Sequence, residues 1–494
     1  MKIALVTFSI DAMNVRALSA YLRRSGHIPY LIFFLSQPSS DDVAILTELL
    51  KWLDVELIGI SLVTDDYAKA TAITLAVKNR LRIPVIWGGA HPSICPEECL
   101  RSTDMVCIGE GEEALVEVCN AMESNQHITD IENIWFRYDK KIYKKPLRTL
   151  IEDLDTLPFI DYELGKHFVI NEGRWRQFDE GMLRGHYHIM TTRGCPFSCS
   201  YCYNNQRRKL YAGKGRYLRQ RSVDNIIAEL SWVKANLKSI KVINFWDDIF
   251  LATKLDTIKY FSERYKKEIG MPFFCLGNPS LCNEQKISLL KSCGLTQMQV
   301  GIQTGSERVN YQVYNRHISN AKMLDVATLL HKHGIAASYD FIFNNPYETE
   351  TDIQETIELL LKFPQPLSIQ GYNLTFYPGS DIYDRALADG FISDDSINES
   401  ATIQSPTDTP LKSFESSSVS NRFYRCNFSY ENKRYFNILV SLLPYYPAVL
   451  IKFLLRFRHD WLIALLTKPF MLRQSAPKIA TFIGKAVRLM KRWF

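Results

Sequence analysis

Thr191-Thr192-Arg193-Gly194-Cys195-Pro196-Phe197-Ser198-Cys199-Ser200-Tyr201-Cys202 carries the sharpest signal in the sequence. Three cysteines in C-x3-C-x2-C spacing follow an alternating apolar run, Tyr187–Thr192, so they fall in one loop directly after a strand. Its glycine and proline suit a chain that folds around a ligand and does not continue a strand. A [4Fe–4S] cluster is usually held by four cysteines. Three, here Cys195, Cys199 and Cys202, leave one iron open to a chelating small molecule. Zinc with a fourth ligand from elsewhere is the rival. Zinc sites more often show paired C-x2-C knuckles, and neither a second knuckle nor a nearby histidine is present after the loop. Three ordinary buried thiols are the third reading.

Working outward, strands are expected at Tyr187–Thr192, Lys241–Asp247, Phe273–Gly277, Met298–Thr304, Ala337–Phe343 and Ser368–Phe376. Helical patterns separate them at Ser222–Asn236, Lys254–Ile269, Glu284–Ser292, Asn320–His333 and Thr351–Lys362. Six such repeats over residues 185–385 predict a partial (β/α)6 barrel with its chemistry at the carboxyl ends of the strands. Upstream, residues 1–122 hold five shorter βα units, with strands at Lys2–Phe8, Pro29–Leu35, Leu57–Val63, Pro84–Gly89 and Met105–Glu110. That pattern predicts a doubly wound parallel sheet of the flavodoxin-like (Rossmann-type) class, whose ligands sit at strand ends near the point where strand order reverses. The loops there are Ser61–Thr64, Gly88-Gly89-Ala90-His91-Pro92 and Gly109-Glu110-Gly111-Glu112. Their glycines either let backbone approach a ligand or merely turn the chain.

Residues 123–184 are less regular, with a hairpin expected at Ile134–Lys145. Residues 386–430, rich in Ser, Asp, Thr and Pro, read as a connector, and 431–494 as a basic helical region. Composition, at 46% apolar and 23% charged, is that of a folded globular chain. Eleven cysteines in so long a chain argue against a disulfide framework. The apolar alternation from Ile3 to Phe8 is no secretory leader, so a cytoplasmic location is expected.

The net charge of +6 is uneven: Lys433–Phe494 carries 12 Lys/Arg against one acid, leaving the rest of the chain net acidic. Pro477–Phe494 mixes Ile479, Phe482, Ile483 and Val487 with Lys478, Lys485, Arg488 and Lys491. Such an amphipathic basic segment suits an anionic membrane face, or else solvates a domain edge. The 17 uncharged residues Tyr435–Ile451 are interrupted by Asn437, Pro444 and Pro447, and fit an interfacial or core-packed helix pair better than a span.

The cysteine loop resembles that of the radical S-adenosylmethionine (SAM) superfamily, and the resemblance extends over roughly residues 185–385. It implies a [4Fe–4S] cluster whose open iron binds the amine and carboxylate of SAM, reductive cleavage to a 5′-deoxyadenosyl radical, and an electron donor such as flavodoxin or ferredoxin. It also implies a segment near the SAM amine, matched by Asn244–Phe250 with Asp247 or Asp248 as the carboxylate, unless one of them only caps a helix. Gln303, Ser306 and Glu307, in Val300–Glu307, resemble the segment beside the SAM adenosine and ribose; Ser306 and Glu307 equally suit a helix start. Arg219-Gln220-Arg221-Ser222 resembles the family's Arg-x-Arg-Ser stretch, which makes a structural role preferable to nucleic-acid binding for these cations.

A flavodoxin-like domain ahead of such a barrel resembles the cobalamin (B12)-binding class of that superfamily. Both segments common in that class are present, Gly88–Pro92 and Gly109–Glu112. The resemblance implies cobalamin as a third cofactor, with Ser61, Thr64, Gly88, Gly89, His91, Gly109 and Glu110 around it. Met13 stands where mutase-type domains carry a cobalt-ligating histidine, so no protein histidine is expected below the cobalt. Modification of an unactivated carbon, foremost by methylation, is then expected for a small-molecule or lipid-like substrate. Oxidative cyclisation or rearrangement, or a non-catalytic corrin or cluster sensor, are the alternatives.

Overall fold

A computed structural model of the chain describes residues 1–392, 443 and 448–457. Most of the connector and of the basic C-terminal region, including the amphipathic stretch at 477–494, lies outside the described residues. A helix at Ala448–Phe457 is described, with Ile451 and Leu454 buried and Lys452 exposed. No helix among the described residues is long and apolar enough to cross a membrane.

The N-terminal sheet grows from β1 (Lys2–Thr7), β2 (Ile28–Phe34), β3 (Leu57–Ser61), β4 (Val85–Gly88) and β5 (Met105–Cys107). Ile3, Ala4, Leu5 and Val6 are all buried, because helices cover both faces of a parallel sheet and leave no polar side to alternate with. Those helices are α1 (Met13–Arg24), α2 (Ser40–Leu53), α3 (Tyr67–Arg80), the short α4 (Ala90–Ile94) and α5 (Pro96–Cys99), and α6 (Glu112–Glu123). Helix α2 starts where Ser39 and Asp42 form a reciprocal capping box. Trp87, wholly buried in the core, donates its indole N–H to Thr74 Oγ1 at 2.9 Å, which removes the cost of burying that donor.

Sheet order extends beyond the five expected strands. It runs β7-β6-β5-β4-β3-β1-β2-β8-β9, adding the hairpins β6 (Ile134–Tyr138) with β7 (Lys141–Tyr143), and β8 (His167–Asn171) with β9 (Arg174–Gln177). The first hairpin matches the expected turn, and the structure shows that it pairs antiparallel with β5. The second was not expected as strand. Strand β8 pairs parallel with β2, Leu31 opposite His167, so its register comes from a distant partner and not from local pattern. Chain order reverses between β1 and β3, the position at which flavodoxin-like sheets receive ligands.

A second sheet has its strands in chain order: β10 (His186–Ile189), β13 (Val242–Phe245), β14 (Phe273–Gly277), β15 (Leu295–Gln303), β16 (Ala336–Phe343) and β17 (Ile369–Asn373). Pairs β10/β13, β15/β16 and β16/β17 are parallel. Between β10 and β13 lie the short antiparallel pair β11 (Thr192–Arg193) and β12 (Arg219–Gln220), α7 (Tyr203–Leu210) and α8 (Val223–Asn236). By contact the residues fall into two compact units, one built on Met1–Phe250 and Tyr260–Phe273, the other on Leu251–Lys259 and Phe274–Thr375. The N-terminal sheet and the cysteine loop share the first.

Candidate functional site

Strand β10 ends at Ile189, three residues before the expected Thr192, because Asp247 captures the next stretch of backbone. Its Oδ1 accepts the backbone N–H of Thr191 at 2.6 Å and of Thr192, and both threonine hydroxyls, at 3.0 and 2.7 Å. The wholly buried carboxylate thus anchors the chain just ahead of Cys195. Burial pushes its pKa up to about 6 despite the four donors, since they are all neutral and Oδ2 has no hydrogen-bond partner. Asp248, next in sequence, is exposed toward a cavity. Of the two candidate acids, therefore, Asp247 holds backbone and Asp248 is available to a ligand.

Gly194 opens the cysteine loop at φ +93°, with its Cα so close to Tyr217 that a Cβ would lie 2.4 Å from the carbonyl oxygen. Only glycine turns there. Burial raises the Cys195 thiol to about 12 and the Cys202 thiol to about 11, and neighbouring thiols and Asp248 add to both shifts. Thiols so placed ionise when a bound metal cation compensates them, which is the donor chemistry an iron–sulfur cluster requires. The three cysteines fit a cluster. After the loop, α7 is pinned by Gln206 Nε2 to the Pro378 carbonyl at 2.8 Å and Asn205 Nδ2 to Asp381 at 2.9 Å, so Pro378–Asp381 acts as its clamp.

One open cavity, wholly within the first unit, joins these parts. Counting its mouth, it holds about 1630 Å³ of atom-free space. Leu5, Ile60 and Ile86 contribute an apolar floor, and Ser61, Gly88, Gly89 and Gly109 bring backbone and small side chains to the rim. Arg193 and Tyr203, which flank the cysteine loop, and Asp248 form another part of the wall. A large ligand with substantial apolar surface suits a cleft of this size and lining. Met13 and Asn14 line it, Asn14 donating to Ser61 Oγ at 2.6 Å, and no histidine is among the lining residues. His91 and Thr64 are not on the cavity wall: they bond each other, His91 Nδ1 to Thr64 Oγ1 at 3.3 Å.

Glu110 is on the wall, but its carboxylate is committed to arginines. Arg219 grips it with two bonds, Nη1 to Oε2 at 3.0 Å and Nη2 to Oε1 at 2.5 Å, and Arg193 lies 3.3 Å away. Burial opposes the charge, but Arg219 hydrogen bonds and the Arg193, Arg219 and Arg207 charges hold the carboxyl below its usual range. Arg193 also reaches Glu112 at 2.5 Å. Gly109 makes the same junction from the backbone: at φ +79° a Cβ would sit 1.8 Å from the Tyr211 hydroxyl, which accepts the Glu110 N–H at 2.6 Å. These contacts bind the Gly109–Glu112 loop to the cysteine loop and α7. Tyr211 was absent from the sequence candidates; its i, i+4 spacing from Arg207, behind Cys202, was the one available cue.

The Arg-x-Arg-Ser stretch makes structural contacts, and Arg221 with its partner Glu229 also lines the cavity. Arg221 pairs with buried Glu229 at 2.5 Å, and Ser222 caps α8 by accepting the Asn225 N–H. Gln303, Ser306 and Glu307 belong to the second unit. Gln303 ends β15 in a bulge at φ +74°, beside a small cleft with Thr304 and Phe341. Ser306 is buried and donates to Asp352 Oδ1 at 2.5 Å, while Glu307 Oε1 accepts the N–H of Asn320, which opens the helix Asn320–Lys332.

Comparison with known proteins matches the B12 binding domain family over residues 3–119 and the radical SAM superfamily over residues 189–360. The chain is 27% identical over 355 residues to the uncharacterized methyltransferase PH0819 of Pyrococcus horikoshii, covering 70% of this chain and 72% of that protein. It is 24% identical over 349 residues to bacteriochlorophyllide d C-8(2)-methyltransferase of Chlorobaculum tepidum, covering 69% and 70%. Its fold resembles that of the radical SAM methyltransferase TsrM of Kitasatospora setae, solved with cobalamin and a [4Fe-4S] cluster bound, with a TM-score of 0.64 at 16% identity over 78% of each chain.

Proposed function

We propose that this chain, which belongs to the B12-binding class of the radical SAM superfamily, methylates an unactivated carbon of a small molecule. The observation that carries this reading is the cavity whose wall joins the strand ends of the B12-binding domain to Arg193, Tyr203 and Asp248 around the cysteine loop. When bound, the cluster, SAM and cobalamin supply the electron, the radical and the methyl carrier. The protein's own part is placement. Cys195, Cys199 and Cys202 would hold the cluster; Asp247 fixes the backbone leading into them; Asp248 offers a carboxylate to the SAM ammonium. The glycines and apolar side chains of the cavity wall would hold the corrin, and no histidine is among the residues that line it.

The test is anaerobic reconstitution with SAM, cobalamin and reductant, followed by 5′-deoxyadenosine and corrin measurements. Cys199→Ala should lose SAM cleavage to background, at least a hundredfold, while circular dichroism and corrin retention stay near parental. Parental SAM cleavage in that variant overturns the cluster assignment. Reduced flavodoxin or ferredoxin would be the electron donor. The location we propose is cytoplasmic, with the basic C-terminal region resting on an anionic membrane face and favouring a lipid-like substrate. Flotation with anionic vesicles should be weakened by salt and lost on removal of residues after 430; equal flotation without them refutes the contact.

A further inference from the structure

A second set of metal-ligating side chains sits on the α4–α5 segment, and none of its members lines the cavity. Donor atoms of His91, Cys95 and Glu98 all lie within 4.8 Å of one another. The chain breaks between the two short helices at Cys95-Pro96, and the break brings i, i+4 and i+7 side chains to one point. His91 is 3% exposed, and its Nε2 is buried without a hydrogen-bond partner while facing Glu98 Oε2 at 3.5 Å. Nδ1 is oriented by Thr64 and the ring is held edge-on by Tyr67 at 5.2 Å, the outer support that metal-bound imidazoles usually have. Glu98 has no lysine or arginine within ion-pair distance among the described residues. With zinc bond lengths near 2.1 Å and tetrahedral angles, an N···O edge spans about 3.4 Å, close to the His91–Glu98 separation.

We propose that His91 Nε2, Cys95 Sγ and the Glu98 carboxylate bind one divalent cation of the zinc class, with the fourth position left to a non-protein ligand. A nitrogen, sulfur and oxygen set suits a borderline-soft ion and disfavours magnesium or calcium. The ion acts as a clip on the cavity rim. Gly88 and Gly89 directly precede the site, and Ser93, between its ligands, donates to the Gly89 carbonyl at 2.7 Å and accepts the Gly109 N–H at 2.9 Å. One bound cation would therefore fix both glycine loops at once.

The probe is Co²⁺, titrated anaerobically into full-length protein whose cluster is already loaded and whose other metals have been removed by chelation. Expected are one Co²⁺ per chain beyond cluster iron, thiolate-to-cobalt absorption in the near ultraviolet, and competition by Zn²⁺. Cys95→Ser should lose that absorption with cluster iron unchanged. Glu98→Gln, on a partly exposed side chain, should weaken binding at least tenfold. No binding beyond the cluster overturns the site, as does a cobalt spectrum unchanged in Cys95→Ser. If Cys95→Ser does not fold, an unaltered affinity in Glu98→Gln overturns it equally.

Discussion

Glu110 and Asp247 are both buried carboxylates at strand ends of the first unit, and they behave in opposite ways. Glu110 meets three arginines, and its proton affinity falls below the ordinary value. Asp247 meets only neutral donors, and its pKa rises to about 6. Hydrogen bonds to a buried carboxylate offset part of the desolvation cost, whereas an adjacent cation offsets it with charge. One acid therefore joins two segments of chain as an ion pair, and the other shapes a backbone turn at a cost in neutral solution.

The largest effect expected from breaking this contrast is at Arg219. Arg219→Met would leave Glu110 buried with only more distant cations, a loss of about 3–5 kcal/mol in denaturant unfolding. Adding Glu110→Gln to it should recover much of that loss. A single variant costing under about 1 kcal/mol would show that Arg193 and Arg207 suffice.

Next is the pH response of Asp247. Its native pKa of about 6 exceeds the ordinary 3.8, so the native state holds the proton more tightly. Stability from this group is greatest below about pH 4, falls as pH rises to 6, and is lower by at most roughly 3 kcal/mol above that. Asp247→Asn keeps an acceptor and cannot ionise, so its stability relative to the parent should rise across that window. Parallel profiles for the two proteins would refute the raised pKa. Glu110 works in the other direction: its stabilisation is complete above pH 4.5 and is lost as pH falls through the lowered native value.

The smallest stability effect belongs to Asp248. Exposed on the cavity, Asp248→Asn should change stability by no more than about 0.5 kcal/mol. It should nevertheless weaken SAM binding to cluster-loaded protein by tenfold or more, read by equilibrium titration. If Asp247→Asn weakens SAM binding more than Asp248→Asn at equal cluster content, the division of labour between the neighbours is reversed.

Much of this was legible in the sequence. Strand β14 spans the expected Phe273–Gly277, and β4 and α8 fall within one residue of the expected Pro84–Gly89 and Ser222–Asn236, because periodicity and capping signals are local. Strand β8 was not legible, since Phe168-Val169-Ile170 becomes a strand only against β2. Among the site residues expected around a cofactor, Thr64 and His91 are bonded to each other and are not among those that line the cavity. Glu110 stands on the cavity wall with its charge already taken, a fact that depends on Arg219, far along the chain.

What the sequence determined by itself is the chemistry carried by short spacings: three thiols in one loop, glycines at strand ends, a run of βα units. Side-chain identity and local periodicity are enough to specify these. What only the tertiary structure decided is what each acid of a neighbouring pair meets. Asp247 and Asp248, like Glu110 and Glu112, are nearly interchangeable as letters. Their roles depend on whether backbone donors, arginines or an open cavity face each carboxylate, because burial makes an acid's charge depend on its immediate partners.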